Sequence, residues 1–171
     1  MQRFREYVRV AAIILATGCF PPPSFAAALP KVETFTLPNG LEVIVIPNHR
    51  VPAVSHMFWL KVGAADDPPG KSGLAHFHEH LMFKGTAKHK AGEYADIIAR
   101  HGGQQNAFTG NDAISYFVNI AKEHLPLVME LEADRMRGLK PEDGDVAKEK
   151  QVILEERRSR ADISQDILKR R

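Results

Sequence analysis

A length of 171 residues suits one domain and is long enough to bury a real core. The formal net charge of +2 gathers at the start, where Arg3, Arg5 and Arg9 face only Glu6 and leave the rest of the chain with equal numbers of basic and acidic side chains. So balanced a chain has no electrostatic footprint for nucleic acid, which excludes a polyanion as the default partner.

The basic start leads into an apolar run at residues 10–18, then Pro21, Pro22 and Pro23, then the small-residue cluster at 24–28. These are the n-region, h-region and cleavage region of a secretory signal peptide, and the run is too short for a comfortable membrane span. Residues 1–28 are therefore expected to be a signal peptide and residues 29–171 an exported chain, periplasmic or secreted. Retention of the leader would leave an N-terminal anchor instead. Residues 15–19 are a poor match to a lipoprotein cleavage box, which would tie Cys19 to a membrane. Cys19 is the only cysteine, and cleavage near residues 26–28 removes it, so the mature chain has no disulfide, no thiol chemistry and no stable membrane span.

From Val32 the pattern alternates. Residues 35–37 and 41–46 read as two strands joined by a turn at Asn39-Gly40, and residues 54–62 as a further strand rich in aromatic and branched side chains. Trp59 in that strand is expected to be core. A polar loop at 63–72 then delivers the chain to a helix over residues 73–85, closed by Gly85. Residues 93–100 form a second helix, stopped by Gly102-Gly103. Residues 104–108 and 114–120 read as a strand pair. Residues 123–136 are helical, with Pro126 in the first turn. Leu127, Met129, Leu131 and Met136 are expected to make apolar contacts while Glu130, Glu132 and Asp134 stay solvated. A last helix starts near residues 142–145 and runs at least to Arg158. Strands followed by helices, with hairpin-length links, predict an α+β fold with a largely antiparallel sheet packed by helices.

The helix at 73–85 reads His76-x-x-Glu79-His80. Residues four apart share a helical face, so the two imidazoles lie side by side and Glu79 leans toward the same face. Two neutral imidazoles and a carboxylate are the makings of a hydrolytic zinc site, the carboxylate taking the proton of an activated water. A third ligand must come from elsewhere. On the last helix, at ~100° per residue, Glu149 and Glu156 share a stripe with Val146, Val152 and Ile153, while Glu155 points away. Taken alone, that helix is as well read as an ordinary charged helix with two marginal glutamates. Carboxylates inside an apolar arc are costly unless they pair or bind metal. Beside the His76 helix this favours Glu156 as the third ligand, with Glu149 a supporting carboxylate. His78, ~200° from His76, faces away. His56, His89, His101 and His124 have no partner spacing and read as surface or strand-packing residues. A structural zinc site is a weaker option, since such sites close four ligands and favour thiolates.

The inverted zinc motif, within Gly73-Leu-Ala-His-Phe-His-Glu-His-Leu-Met-Phe-Lys-Gly-Thr86, closely resembles the pitrilysin/insulinase family of metallopeptidases, particularly its processing-peptidase-like bacterial members. Residues 102–116, residues 134–136 and residues 149–157 resemble further family segments in the same order, so the resemblance runs from about Val32 to Arg160. It implies zinc, one per chain, held by His76, His80 and Glu156, with Glu79 as general base and Glu149 as an auxiliary catalytic carboxylate. Asn106 and Ala107 match an edge strand to which a peptide substrate adds by main-chain pairing. His78 departs from the family, which usually has an apolar residue there.

The implied activity is zinc-dependent endopeptidase cleavage of unfolded peptides or small proteins. The implied fold is that of the N-terminal domain of the mitochondrial processing peptidase-like enzymes, partial here and incomplete at its C-terminus. Family members are much longer, and their second half closes a substrate chamber, so a second family domain or subunit is an expected partner. The alternative is a truncated, inactive relative that binds zinc or peptide, or pairs with another subunit, without turnover.

Overall fold

The computed structural model describes residues 31–169. The expected leader at 1–28, with Cys19, lies outside the described residues, and among those described no helix is long and apolar enough to cross a membrane. The chain divides into two compact units, one up to His49 and one from Arg50.

In the first unit, β1 (Glu33–Thr36) and β2 (Glu42–Val45) form an antiparallel hairpin with Glu33 opposite Val45 and Thr36 opposite Glu42. Gly40, at φ +86°, supplies the left-handed conformation the turn needs. The N–H of Leu41 donates to Asn39 Oδ1 at 3.1 Å, locking the turn from the side-chain side.

The second unit holds β3 (Ala53–Leu60), α1 (Leu74–Leu81), α2 (Glu93–Arg100), β4 (Gln104–Thr109), β5 (Ile114–Ala121), α3 (Leu125–Gly138) and α4 (Asp143–Lys169). Its three strands run in the order β3-β5-β4 with both pairings antiparallel. The fold is α+β, as the strand and helix patterning predicts. Alternation sorts β5 into two faces. Ile114 and Tyr116 join Ala75 and Met82 of the α1 region in one buried cluster, and Val118 and Ile120 join Ile98 of α2 with Val128 and Leu131 of α3 in another. On the opposite face Met57, Trp59 and Phe108 are exposed. Trp59, expected in the core, is thus half exposed and packs in a T-shape with Phe108, ring centroids 5.5 Å apart.

Helix α3 also departs from expectation. Met129 and Met136 are exposed, whereas Glu132 is buried. The inward stripe is Val128, Leu131, Glu132 and Arg135, the i, i+3, i+4, i+7 set of one helical face. Glu132 tolerates burial because Arg135 grips it with two hydrogen bonds, of 2.7 and 2.8 Å, and the Tyr94 hydroxyl donates to it at 2.7 Å. The Arg135 guanidinium in turn lies 4.5 to 5.3 Å from the ring centroids of Tyr116, Tyr94 and Phe83.

Helix α1 is fixed at both ends. At its start Gly73 sits at φ +97°, and Asp67, from the preceding loop, accepts the N–H groups of Gly73 and Ala75 at 2.6 and 2.9 Å. That loop is pinned where Gly63 passes the β4–β5 turn so closely that a Cβ would meet the Asn111 carbonyl oxygen at 2.3 Å. Beyond the helix, the Thr86 hydroxyl donates to Asp134 of α3 at 2.5 Å, and Thr86 and Leu139 form an isolated β-bridge. The elements on either side thus aim α1 at β4 and α4.

Candidate metal centre

His76 and His80, one turn apart on α1, bring their Nε2 atoms to 3.2 Å, with ring planes nearly perpendicular at 86°. Glu156 of α4 reaches the same point from across the helix pair. Its Oε2 lies 3.5 Å from His76 Nε2 and its Oε1 3.8 Å from His80 Nε2. One ligand atom from each residue falls within a 4.8 Å group. Donors at zinc distances on the corners of a tetrahedron stand about 3.4 Å apart, close to the separations found. The donor chemistry fits as well: two imidazoles and one carboxylate are a set of side chains that zinc accepts.

The tautomer of His80 follows from its other nitrogen. His80 Nδ1 is 2.8 Å from Glu149 Oε2, and Lys84 Nζ is 2.5 Å from the other oxygen of the same carboxylate. Burial pushes the Glu149 carboxyl up, but the hydrogen bonds and charges of Lys84 and His80 outweigh it and hold it below the usual range. An ionised Glu149 can only accept, so His80 Nδ1 carries the proton and Nε2 presents its lone pair toward His76 and Glu156. Burial, reinforced by the neighbouring His80, lowers the His76 pKa against the opposing pull of Glu79 and Glu156, which favours a neutral ring.

Glu79 lies on the same helix but is more deeply buried. Its Oε2 accepts the hydroxyl of Thr109, the last residue of β4. Asn106 and Ala107 lie on that edge strand opposite Phe117 and Tyr116 of β5, Asn106 exposed and Ala107 packed toward the core under α1. Asn106 Oδ1 accepts the Ala107 N–H at 2.8 Å.

Of the residues singled out from sequence, His76, His80, Glu156 and Glu149 meet in one cluster, and Glu79 joins them through α1. The stripe on α4 is less apolar in practice than in projection, since Val146 and Val152 are exposed; it faces the histidines of α1 rather than the core. His78 is exposed and outside the cluster. His101 and His124, without a partner spacing in sequence, meet ring to ring at 4.7 Å. Two contributors escape a reading of the motif, Lys84 and Thr109. For Lys84 a signal existed, since it stands four residues after His80 and so shares its side of the chain. For Thr109 none did, because its partner lies across the fold.

The chain is similar to known proteins named zinc proteases. The family profile described as Insulinase (Peptidase family M16) matches residues 42–171. Over 137 residues the chain is 42% identical to the zinc protease PqqE of Helicobacter pylori, covering 80% of this chain and 31% of that protein. It is 31% identical to the uncharacterized zinc protease YmxG of Bacillus subtilis, covering 80% and 34%. Over 90 residues it is 37% identical to the human insulin-degrading enzyme, covering 52% of this chain and 9% of the relative. The crystal structure of a protease from Helicobacter pylori superposes with a TM-score of 0.75 at 41% identity, over 77% of this chain and 32% of that one. The chain spans about a third of the length of the first two of these relatives.

Proposed function

The chain belongs to the insulinase family, peptidase family M16, and from that premise we propose that it is the metal-bearing part of a zinc-dependent endopeptidase acting on unfolded peptides or small proteins. The observation that carries this reading is the convergence of His76, His80 and Glu156 within 4.8 Å, with a buried carboxylate, Glu79, on the same helix. These three residues would hold one zinc ion. Zinc bound there supplies Lewis acidity, polarising a water molecule and the scissile carbonyl.

The chain's own groups do the rest. Glu79 accepts the proton of the attacking water at one carboxylate oxygen while the Thr109 hydroxyl holds the other. It later returns that proton to the departing amine. Glu149, held by Lys84, orients His80. A substrate peptide adds to the edge of β4 beside Asn106 and Ala107 by main-chain pairing, which reads backbone rather than side chains and so suits an unfolded substrate. A second family domain or subunit completes the chamber, and the leader at residues 1–28 directs export.

A second reading is that the chain binds zinc or peptide, or pairs with another subunit, without turnover. The deciding experiment measures zinc content and cleavage of an unstructured peptide, for the chain alone and with a polypeptide carrying a relative's second half. One zinc per chain and cleavage in either mixture support the peptidase. Zinc without cleavage in both moves the assignment to the second reading. Cleavage that survives Glu79→Gln overturns the mechanism.

A further inference from the structure

We propose that Lys84 is a positioning residue of the metal centre, clamping Glu149 so that His80 is held in the one tautomer and orientation that offer Nε2 to the metal. The inference rests on the zinc-site reading above and extends it to a residue that follows α1 rather than lying in the motif.

Lys84 stands three residues past the end of α1, and its chain turns back there through the Lys84 N–H to Leu81 carbonyl bond of 2.9 Å. From that position Nζ crosses to α4 and meets Glu149 Oε1 at 2.5 Å, while Oε2 of the same carboxylate meets His80 Nδ1 at 2.8 Å. Each oxygen of Glu149 is engaged by a different donor, so the carboxylate cannot swing away without breaking a charge-assisted hydrogen bond. Both members of the Lys84–Glu149 pair are largely buried, with side chains 22% and 12% exposed, so solvent screens it far less than a surface pair. A lone donor on Glu149 would leave the His80 ring free to choose its partner and its tautomer.

Charge gives a second, independent reason. Glu79, Glu149 and Glu156 bring three carboxylates to one cluster. A divalent cation bound there would offset two of those charges, and Lys84 faces the third. Arg160 also approaches, 3.4 Å from Glu156, but its side chain is 72% exposed, so water takes up most of its effect. Lys84 is therefore the cation placed against Glu149, on the side of the carboxylate away from His80.

The test uses the full chain and two readouts that need no catalysis. Zinc dissociation constants, from competition with a chromogenic chelator, are compared for the wild type, Lys84→Met, Lys84→Arg, Glu149→Gln and the double variant Lys84→Met/Glu149→Gln. Imidazole 15N shifts of His80 are recorded in zinc-free protein. Loss of an outer-shell partner typically weakens metal affinity 10–100-fold, so Lys84→Met should weaken zinc binding about tenfold and give mixed His80 tautomers. Lys84→Arg, which keeps the charge and the donors, should restore both. In the Glu149→Gln background Lys84→Met should change nothing further, because the effect runs through Glu149.

Unchanged zinc affinity and an unchanged tautomer in Lys84→Met overturn the proposal, as does an undiminished effect in the Glu149→Gln background. Wild-type chain that takes up no zinc sinks the metal reading instead, and the 15N comparison still decides the role of Lys84. Should Lys84→Met fail to fold, Lys84→Gln takes its place in the same comparisons, with the same outcomes deciding.

Discussion

Thr109, the last residue of β4, donates its hydroxyl to the carboxylate of Glu79 in α1. The edge strand proposed to take a peptide and the carboxylate proposed as the base are therefore held in mutual register by one side chain. In Thr109→Val the carboxylate keeps its charge but loses its anchor, and a hydrogen bond to a charged group is worth about 1.5–3 kcal/mol. The expected result is a fall in kcat of roughly tenfold or more, with KM and zinc content little changed. Thr109→Ser should recover most of the rate. Steady-state kinetics on an unstructured peptide separate the two constants; a rise in KM alone would mean that Thr109 serves substrate binding and not the base.

Glu79→Gln goes further along the same line. An amide of the same shape still accepts from Thr109 but cannot take a proton. Loss of a general base typically costs 10²–10⁴-fold, and the expected outcome is a loss on that scale with zinc retained, read by metal analysis and kinetics on one preparation. The ligand variants should behave in the opposite order. His76→Ala and Glu156→Gln are expected to lose zinc first and activity as a consequence, and a chelator should lower the melting temperature of the wild type but leave those variants unmoved.

Buried charge in α3 gives a stability prediction. Glu132 and Arg135 are 4% and 3% exposed, and removing one member of such a pair strands the other. Arg135→Met should destabilise the protein by about 3–5 kcal/mol, measured by urea unfolding. Replacing both, Glu132→Met with Arg135→Met, should cost less than Arg135→Met alone, because no charge is left unpaired. Tyr94, whose hydroxyl proton is held more tightly as burial, and then the Glu132 charge, push its pKa up, then loses a partner and becomes the residual cost.

The contrast between α1 and α3 shows what a sequence of this kind discloses. His76 and His80 are legible because two ligands on one helix demand a fixed local spacing, and Glu79 is legible from its place between them. Glu156 is legible only as one of two glutamates on a stripe, and its choice depends on the His76 helix being present. Glu132 reads as solvated because carboxylates usually are; its burial is made tolerable by Tyr94, 38 residues away, and by an arginine flanked by rings from α2, β5 and the turn after α1. Lys84 and Glu149 pair across a still wider gap in sequence. Met129, Met136 and Trp59 fail in the other direction, apolar side chains left outside because the helical and strand faces that carry them turn away from the core. Periodicity tells which residues share a face, not which face is covered.

Asp67 supplies a pH dependence whose sign can be worked out. Its carboxylate accepts the Gly73 and Ala75 N–H groups at the start of α1, and these bonds, the Ala75 one first, lower its pKa below the ordinary 3.8. A carboxyl whose folded pKa is depressed stabilises the fold in full above its unfolded value and loses that contribution as pH falls through the folded value. Asp67→Asn should therefore lower the melting temperature near neutral pH, and the gap from wild type should close as pH drops below 3.8 toward the folded pKa. Because the cap orients the helix that carries His76 and His80, zinc affinity at neutral pH should fall with it. A gap in melting temperature that persists undiminished in strong acid would show that Asp67 acts through packing or loop geometry and not through its charge on the end of α1.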